Sequence, residues 1–474
     1  MRRSLLVASL LLAACSSKED NNNDPGVDAG PDGALNAVPE WDKAVTAPAD
    51  DEAAKKRLDC GYAAGSLPAE TQGKSQKLGK DIPIDTIVIV MMENRSFDHY
   101  FQKAKENGLN DMDVAPADFS NPGPDGKPVP IFRDKRLCFV DTNHNWDGVH
   151  DQVGPMDKMD GFVSTNEGHH EIPVHGTADM NAGSRAMGYY EKADIPFMYW
   201  AAEQFSVGDR YFCSILGPTW PNRMFLYAAS SFGRTQNKLP APPYQAIFDL
   251  LEKRGVSWRI YPSQTMGAFV VADSVLKFQK EHVAFSGDEF FVDAAAGTLP
   301  HVVFVDPRIG KEGYDMNDEH PPAIMQFGQQ WLAKVTKAMI DSPQWSRSAL
   351  FITYDEHGGL YDHVPPPKAC EPDDRAPDLA GAKFDRYGIR VPFVVISPFA
   401  KKKFVSHHVY DHTSITRFVE SRFTLPALTK RDANAEAPWD MFDFAAPPNA
   451  KPTPPPAVPI DDKAVAACKG WYEK

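Results

Sequence analysis

Three observations predict an α/β fold built on a mostly parallel, buried central sheet. Residues 87–92 form an apolar run without alternation that stops abruptly at Glu93 and Asn94. Residues 348–354 form a second, β-rich run that stops at Asp355 and Glu356. Further apolar runs at 256–260, 302–305 and 391–396 alternate with helix-period stretches at 244–254 and 324–340. Unalternating runs suit strands covered on both faces, and alternation of strand with helix is what βαβ units require.

In open α/β sheets the chemistry collects at the carboxyl ends of the strands. The first two runs both deliver oxygen-bearing side chains there. Taken alone, Asn94 would cap the following helix and Glu93 would favour the positive end of its dipole. A second strand ending in acids favours a different reading, because hard divalent cations prefer carboxylate and amide oxygens. Glu93, Asn94 and Asp355 are therefore expected to be metal ligands. The pair Gly358-Gly359 would let the backbone turn sharply and approach a ligand closely.

Between the two runs, Gly217-Pro218 precedes a helix with Pro221 near its first turn. Thr219 thus stands at a helix N-terminus, where an oxyanion is favoured. Its hydroxyl is expected to be the nucleophile of a metal-assisted phosphoryl or sulfuryl transfer. Arg223, four residues on, shares its helical face.

These segments, Met92-Glu-Asn-Arg-Ser-Phe-Asp-His-Tyr-Phe, Gly217-Pro-Thr-Trp-Pro-Asn-Arg and Asp355-Glu-His-Gly-Gly-Leu-Tyr-Asp-His-Val-Pro-Pro, resemble the bacterial and plant phosphoesterase family of non-specific phospholipases C and related acid phosphatases. The resemblance extends to Asp141-Thr-Asn-His144-Asn-Trp146 with His150, to Met159-Asp-Gly-Phe162, to Asn317-Asp-Glu-His320-Pro-Pro and to Asp411-His412-Thr-Ser-Ile. It spans roughly residues 80–425. It implies an alkaline-phosphatase-like, three-layer α/β/α sandwich and one metal held by Glu93, Asn94, Thr219, Asp355 and Glu356. It also implies attack by Thr219 through a phosphothreonine intermediate. His144, His320 and His363 match the family's active-site histidines. Imidazole titrates near neutral pH, which suits contacts to phosphoryl oxygens and protonation of the leaving alkoxide. Spacing leaves all three as candidates for the acid.

With 14 histidines in the chain, most are expected to be exposed or structurally satisfied. His150, His357 and His412 are weaker candidates. The pairs His169-His170 and His407-His408 read as solvated, and Asp98 and His99 as supports for the first helix. The Thr-Trp-Pro-Asn-Arg motif echoes the sulfatase pattern, but threonine cannot be oxidised to the aldehyde that pattern needs. The metal itself stays open among Ca²⁺, Mg²⁺ and Mn²⁺ from the oxygen ligands, with Zn²⁺ allowed by the histidines.

Composition, 42% hydrophobic and 24% charged, is that of an ordinary globular chain with a sizeable core. Met1-Arg2-Arg3, an apolar segment and Leu12-Ala-Ala-Cys15 match a bacterial lipoprotein signal, so residues 1–15 are expected to end at a lipidated, membrane-anchoring Cys15. The chain is then an exported bacterial lipoprotein of the outer membrane, periplasm or cell surface. Removing Arg2 and Arg3 takes the formal charge from -14 to -16, which opposes a nucleic-acid partner. Export would place Cys60, Cys138, Cys213, Cys370 and Cys468 in an oxidising space. Up to two disulfides and one spare thiol follow, with Cys213 and Cys370 expected to brace the loops they adjoin.

Residues 16–50, rich in Asn, Asp, Pro, Gly and Ala, read as a flexible tether. Residues 51–446 read as the catalytic domain, and 447–474 as a Pro-rich tail that Cys468 could pin to it. Lys401-Lys402-Lys403 reads as a solvated loop.

The expected function is a metal-dependent phosphoesterase of phospholipase C type acting on a phospholipid headgroup diester. An acid phosphatase using the same site on small phosphate monoesters is the alternative. A catalytically dead, ligand-binding surface lipoprotein is a minor alternative, disfavoured because every position of the site carries a competent residue. Trp146, Phe162, Tyr189, Tyr190 and Trp220 are candidates to box a quaternary ammonium headgroup.

Overall fold

The computed structural model describes residues 35–169, 182–263, 265–309, 313–446 and 448–472. Cys15, its leader and His170 lie outside the described residues. Seven strands form the main sheet: β1 (Thr86–Met92), β2 (Ser206–Gly208), β3 (Trp258–Tyr261), β4 (Val302–Val305), β5 (Ser348–Tyr354), β6 (Phe393–Ile396) and β7 (Phe404–Ser406). Their order across the sheet is β7-β2-β6-β5-β1-β4-β3. Every pairing is parallel except the two made by β6. The expected strand at 391–396 exists, but it runs backwards between β5 and β2. A buried apolar run carries no mark of its direction.

The central strands β1 and β5 are buried at every residue. Seven helices position the site: α1 (Phe97–Phe101), α2 (Pro196–Gln204), α3 (Thr219–Ala228), α4 (Ile247–Arg254), α5 (Met325–Asp341), α6 (His412–Phe423) and α7 (Asp462–Tyr472). On one face of β5, the Phe351 ring lies 5.1 Å from Phe418 of α6. Three residues on and therefore on the other face, Tyr354 meets Tyr100 of α1 edge-on at 5.4 Å. Helices α3 and α4 join α6 in the first layer, through Thr416 Oγ1 donating to Leu226 O and Tyr227 stacking on Phe248. Helices α2 and α5 join α1 in the second, through Met198 N–H donating to Gln329 Oε1 and Tyr100 against Met325. The sheet is thus sandwiched between two helix layers, as the fold class expected.

Local chemistry explains the boundaries. Helix α4 begins at Ile247 rather than 244 because the Asp249 carboxylate accepts the Ala246 N–H and closes the first turn, and it ends at left-handed Gly255. Helix α5 stops one residue before Ser342, which precedes Pro343.

Two disulfides, Cys60–Cys370 and Cys138–Cys468, are present. Cys370 is bridged as expected, but Cys213 is not. Its buried thiol sits against Ile215 O and against Gly388, where a Cβ would fall 2.2 Å from the sulfur. The tail is held by Cys468, by α7 and by Asp461 N–H donating to Gln326 Oε1 at 2.7 Å. The segment read as tether is docked from Leu35 onward. Val38 is buried, Asn36 N–H donates to Arg254 O, and Asp42 pairs with Arg254 at 2.7 Å. No helix among the described residues is long and apolar enough to cross a membrane.

Candidate active site

Register creates the site. Strands β1 and β5 pair from Thr86 opposite Ser348 to Met92 opposite Tyr354, so Glu93-Asn94 and Asp355-Glu356 emerge side by side at one edge. The ladder continues past both strands, with Asp355 N–H donating to Met92 O and Arg95 N–H to Glu356 O. Asn94 has φ +58°, a left-handed conformation its short amide tolerates.

The double glycine turns where only glycine fits. A Cβ at Gly358 (φ +66°) would lie 2.5 Å from Asn94 O, and one at Gly359 (φ +71°) would lie 2.6 Å from Asn143 O. Their close approach is to the Asn94 turn and to the loop bearing His144.

Helix α3 opens at Thr219, with Asn222 Nδ2 donating to Gly217 O at 2.8 Å and its Oδ1 accepting Ile215 N–H to fix the turn. One helical turn later, the buried Arg223 reaches across to both strand ends. Its Nη2 lies 3.0 Å from Glu93 Oε1 and its Nε 3.4 Å from Asp355 Oδ2. On the other side, His144 Nδ1 lies 2.9 Å from Glu356 Oε1, and its Nε2 lies 3.3 Å from Asp141 Oδ2 and 3.4 Å from Asn94 Nδ2. The His320 ring meets the His144 ring edge-on at 5.6 Å, with Nε2 4.0 Å from Asp141 Oδ2.

Burial and crowding set the charges. Burial pushes the Asp355 carboxyl up to about 8, with Glu93 and Glu356 adding to the effect against Arg223. Burial works the same way on Glu356, but the charge and hydrogen bond of His144 outweigh it and hold that carboxyl low. For His320 and His144, burial would favour the neutral ring. Asp141 and Glu93 nevertheless lift His320 to about 9, and Glu356 and Asp141 lift His144 well above its ordinary value.

Asn94 Oδ1 and Asp355 Oδ2 are buried and accept no hydrogen bond. Two such oxygens beside Glu93 are a donor set that fits a hard divalent cation. Glu356 fits less freely, because Gly358 N–H engages Oε2 at 2.7 Å while His144 faces Oε1. A mixed nitrogen and oxygen triad, Asp141, His144 and His320, offers ligand atoms within 4.8 Å of one another. Asp141 was absent from the sequence-derived site. Its signal was its place three residues before His144.

His363 does not join this cluster. Its Nδ1 lies 2.6 Å from buried Asp98 and its Nε2 3.3 Å from Asp113. Arg390 binds Asp98 and Asp362 at 3.0 and 2.9 Å, so the negative charge there is already matched. Asp98 is thus more than a support for α1, while His99 does serve as one, its Nδ1 donating to Gly188 O. His412 donates to Asp355 O at 2.7 Å, and burial keeps its ring neutral, down to about 3. His357 backs Glu356 from Gln152, and His150 bonds within its own helix to Trp146 O. His407 and His408, half-exposed, pair with Asp209 and Glu436.

Beside the Gly217-Pro218 turn lies a cleft of about 390 Å³ lined by Trp146, His150, Leu216, Lys383, Asp385 and Arg386 among others. Of the five aromatics considered for a headgroup box, Trp146 alone lines it. Phe162 and Tyr190 are fully buried, and Tyr189 lines a different cleft with Lys103.

Comparison with known proteins agrees with this geometry. The family model described as "Phosphoesterase family" matches residues 84–426. Non-specific phospholipase C1 of Arabidopsis thaliana is 33% identical over 382 residues, covering 74% of this chain and 69% of the relative. Phospholipase C B of Mycobacterium tuberculosis strain H37Rv is 29% identical over 449 residues, covering 81% and 82%. A solved protein in the alkaline phosphatase superfamily from Vibrio parahaemolyticus is 10% identical, covers 77% of this chain and 91% of its own, and aligns at a TM-score of 0.32. The chain belongs to the phosphoesterase family and is a hydrolase of phosphoric ester bonds.

Proposed function

We propose that the chain is a metal-dependent phosphoesterase of phospholipase C type that transfers the phosphoryl group of a phospholipid headgroup diester to Thr219. The observation that carries the reading is the register of β1 against β5. It sets two acid-bearing strand ends under a helix that opens with a threonine and sends an arginine into both.

Glu93, Asn94 and Asp355, with Thr219, would hold a divalent cation, and Glu356 would complete the set by releasing His144. When bound, the cation would lower the pKa of the Thr219 hydroxyl and stabilise charge on the phosphoryl oxygens. Thr219 Oγ1 attacks phosphorus, and the bond to the leaving alcohol breaks opposite to it. The departing oxygen takes its proton from His320, which Asp141 and Glu93 keep protonated at neutral pH despite burial. Water then attacks the phosphothreonine, returns a proton to His320 and frees Thr219. Arg223 holds the Glu93 and Asp355 carboxylates in place. His144, held by Asp141 at its Nε2, presents a cation to the phosphoryl oxygens.

The two phospholipase C relatives favour a diester over a bare monoester. Two disulfides suit an oxidising compartment and support export, to which the lipoprotein-type segment ending at Cys15 would add a membrane anchor.

Parallel assays on p-nitrophenylphosphorylcholine and p-nitrophenyl phosphate, with Thr219→Ala as control, test the reading. Preference for the diester and loss of both activities in Thr219→Ala are expected. Preference for the monoester would make the enzyme an acid phosphatase, and an active Thr219→Ala would remove the nucleophile. Release of the chain from membranes by Cys15→Ser tests the anchor.

A further inference from the structure

The loop carrying His320 is held from behind by a buried acid. Glu319 has φ +73°, a left-handed conformation that a residue with a Cβ keeps only where its surroundings enforce it. Its side chain is fully buried on the face of the sheet covered by α1 and α5. There Oε2 accepts hydrogen bonds from Tyr354 Oη at 2.6 Å and from Tyr100 Oη, and Oε1 accepts from Gln329 Nε2 at 2.9 Å. The Glu319 carbonyl accepts from the Arg95 guanidinium. Three elements, α1, α5 and β5, thus converge on one residue. Helix α5 carries Gly328 where the side chain crosses, and a Cβ there would lie 2.1 Å from Glu319 Cγ.

Both neighbours of Glu319 face the site. Asp318 O accepts the Glu93 N–H at 2.9 Å, and Asp318 Oδ1 accepts the His320 N–H at 3.1 Å. Burying a carboxylate is costly unless donors satisfy it, and this one is satisfied by donors from three separate elements. A core that needed only filling would use an apolar side chain at this position.

We propose that Glu319 is a positioning residue. Clamped by Tyr100, Tyr354 and Gln329, it fixes the left-handed turn that sets His320 beside Asp141. The role rests on the reading of His320 as the proton donor given above.

The test is a double-mutant cycle of Glu319→Ala with His320→Ala, following kcat and KM on whichever p-nitrophenyl ester the wild type turns over faster. Glu319→Ala is expected to lower kcat about 100-fold, the cost of misplacing a catalytic group by about 1 Å, with KM little changed. The double variant should match His320→Ala alone, because the first change acts through the second residue. Glu319→Gln, which keeps one acceptor oxygen, should recover most of the loss. If Glu319→Ala does not fold, the cycle is run with Tyr354→Phe, which removes one donor and leaves every carbon in place, and a smaller loss with the same non-additivity is expected. Multiplying losses with a deficient His320→Ala would overturn the positioning role alone. A fully active His320→Ala would overturn the proton-donor reading and the positioning role together.

Discussion

Replacing Gly358 with alanine separates a backbone cost from a positional one. Gly358 has φ +66°, where an L-residue costs about 1–2 kcal/mol. The new Cβ would also lie 2.5 Å from Asn94 O, 2.8 Å from Asn94 Cβ and 2.9 Å from Asn94 C. Those are mostly backbone atoms of a turn tied to both strands, so relief requires Asn94 itself to move. Overpacking of that kind adds about 1–3 kcal/mol, for a total of roughly 2–5 kcal/mol. Gly126 provides the reference, since it has φ +76° with no atom within 4 Å of an added Cβ. Gly126→Ala should therefore lose only the backbone term, about 1–2 kcal/mol, and keep full activity. Urea unfolding measures both losses, and kcat/KM on a p-nitrophenyl ester measures the displacement of Asn94, expected to approach 100-fold. Equal stability losses in the two variants, with kcat/KM unchanged in Gly358→Ala, would refute the claim that the glycine exists to admit the Asn94 turn.

Three other outcomes follow from the structure. Arg223→Met should destabilise the fold by about 3–5 kcal/mol by leaving the buried Glu93 and Asp355 carboxylates without their partner, and should abolish esterase activity; a variant of wild-type melting temperature would contradict the ion-pair geometry. His282 is raised despite burial because Glu252 lies 3.0 Å away, and Glu252 is lowered mainly by its hydrogen bond from His282. The histidine contribution is fully present below its unfolded value of about 6.5 and fades as pH rises through the folded one, while the glutamate contribution is lost as pH falls below about 4.3. The stability gap between wild type and His282→Gln, from urea midpoints, should thus be largest near pH 5–6 and shrink toward pH 9. Finally, Cys138→Ser with Cys468→Ser opens a bridge spanning 330 residues, for which chain entropy sets an upper loss of about 6 kcal/mol. Limited proteolysis should release α7 in that variant and not in the wild type.

Sequence carried the strand ends well because a buried parallel strand is an unalternating run whose last residue is visible. Glu93, Asn94, Asp355 and Glu356 could be placed at one edge before any coordinates. The reversed direction of β6 was illegible, since Phe393–Ile396 reads the same either way. His144 and His320 share the site as expected, while His363 is bound by Asp98 and Asp113 in a separate cluster. What separates them is long-range packing of Arg390 between Asp98 and Asp362, residues far apart in the chain. Asp98 looked like helix support because its partners come from elsewhere. The tether was read too far for a related reason. Composition across residues 16–49, rich in Asn, Asp, Pro, Gly and Ala, masks the apolar Leu35, Val38 and Trp41, and the contacts of residues 35–49 to Arg254 and Lys253 are made by particular side chains.

The charges at the strand edge bear on how an anionic substrate could enter. Glu93, Asp355, Glu356 and Asp141 crowd one small volume, against Arg223, His144 and His320. Burial pushes the Asp355 carboxyl up to about 8 even with Arg223 beside it, so near neutral pH three cations face three carboxylates and leave no surplus positive charge for a phosphate ester. A divalent cation held by Asn94 and Asp355 would shift that balance: it would favour the ionised Asp355 and add net positive charge to the edge for a phosphoryl group. The two oxygens without a hydrogen bond and the raised Asp355 carboxyl would then have one cause, an edge that such a cation would complete.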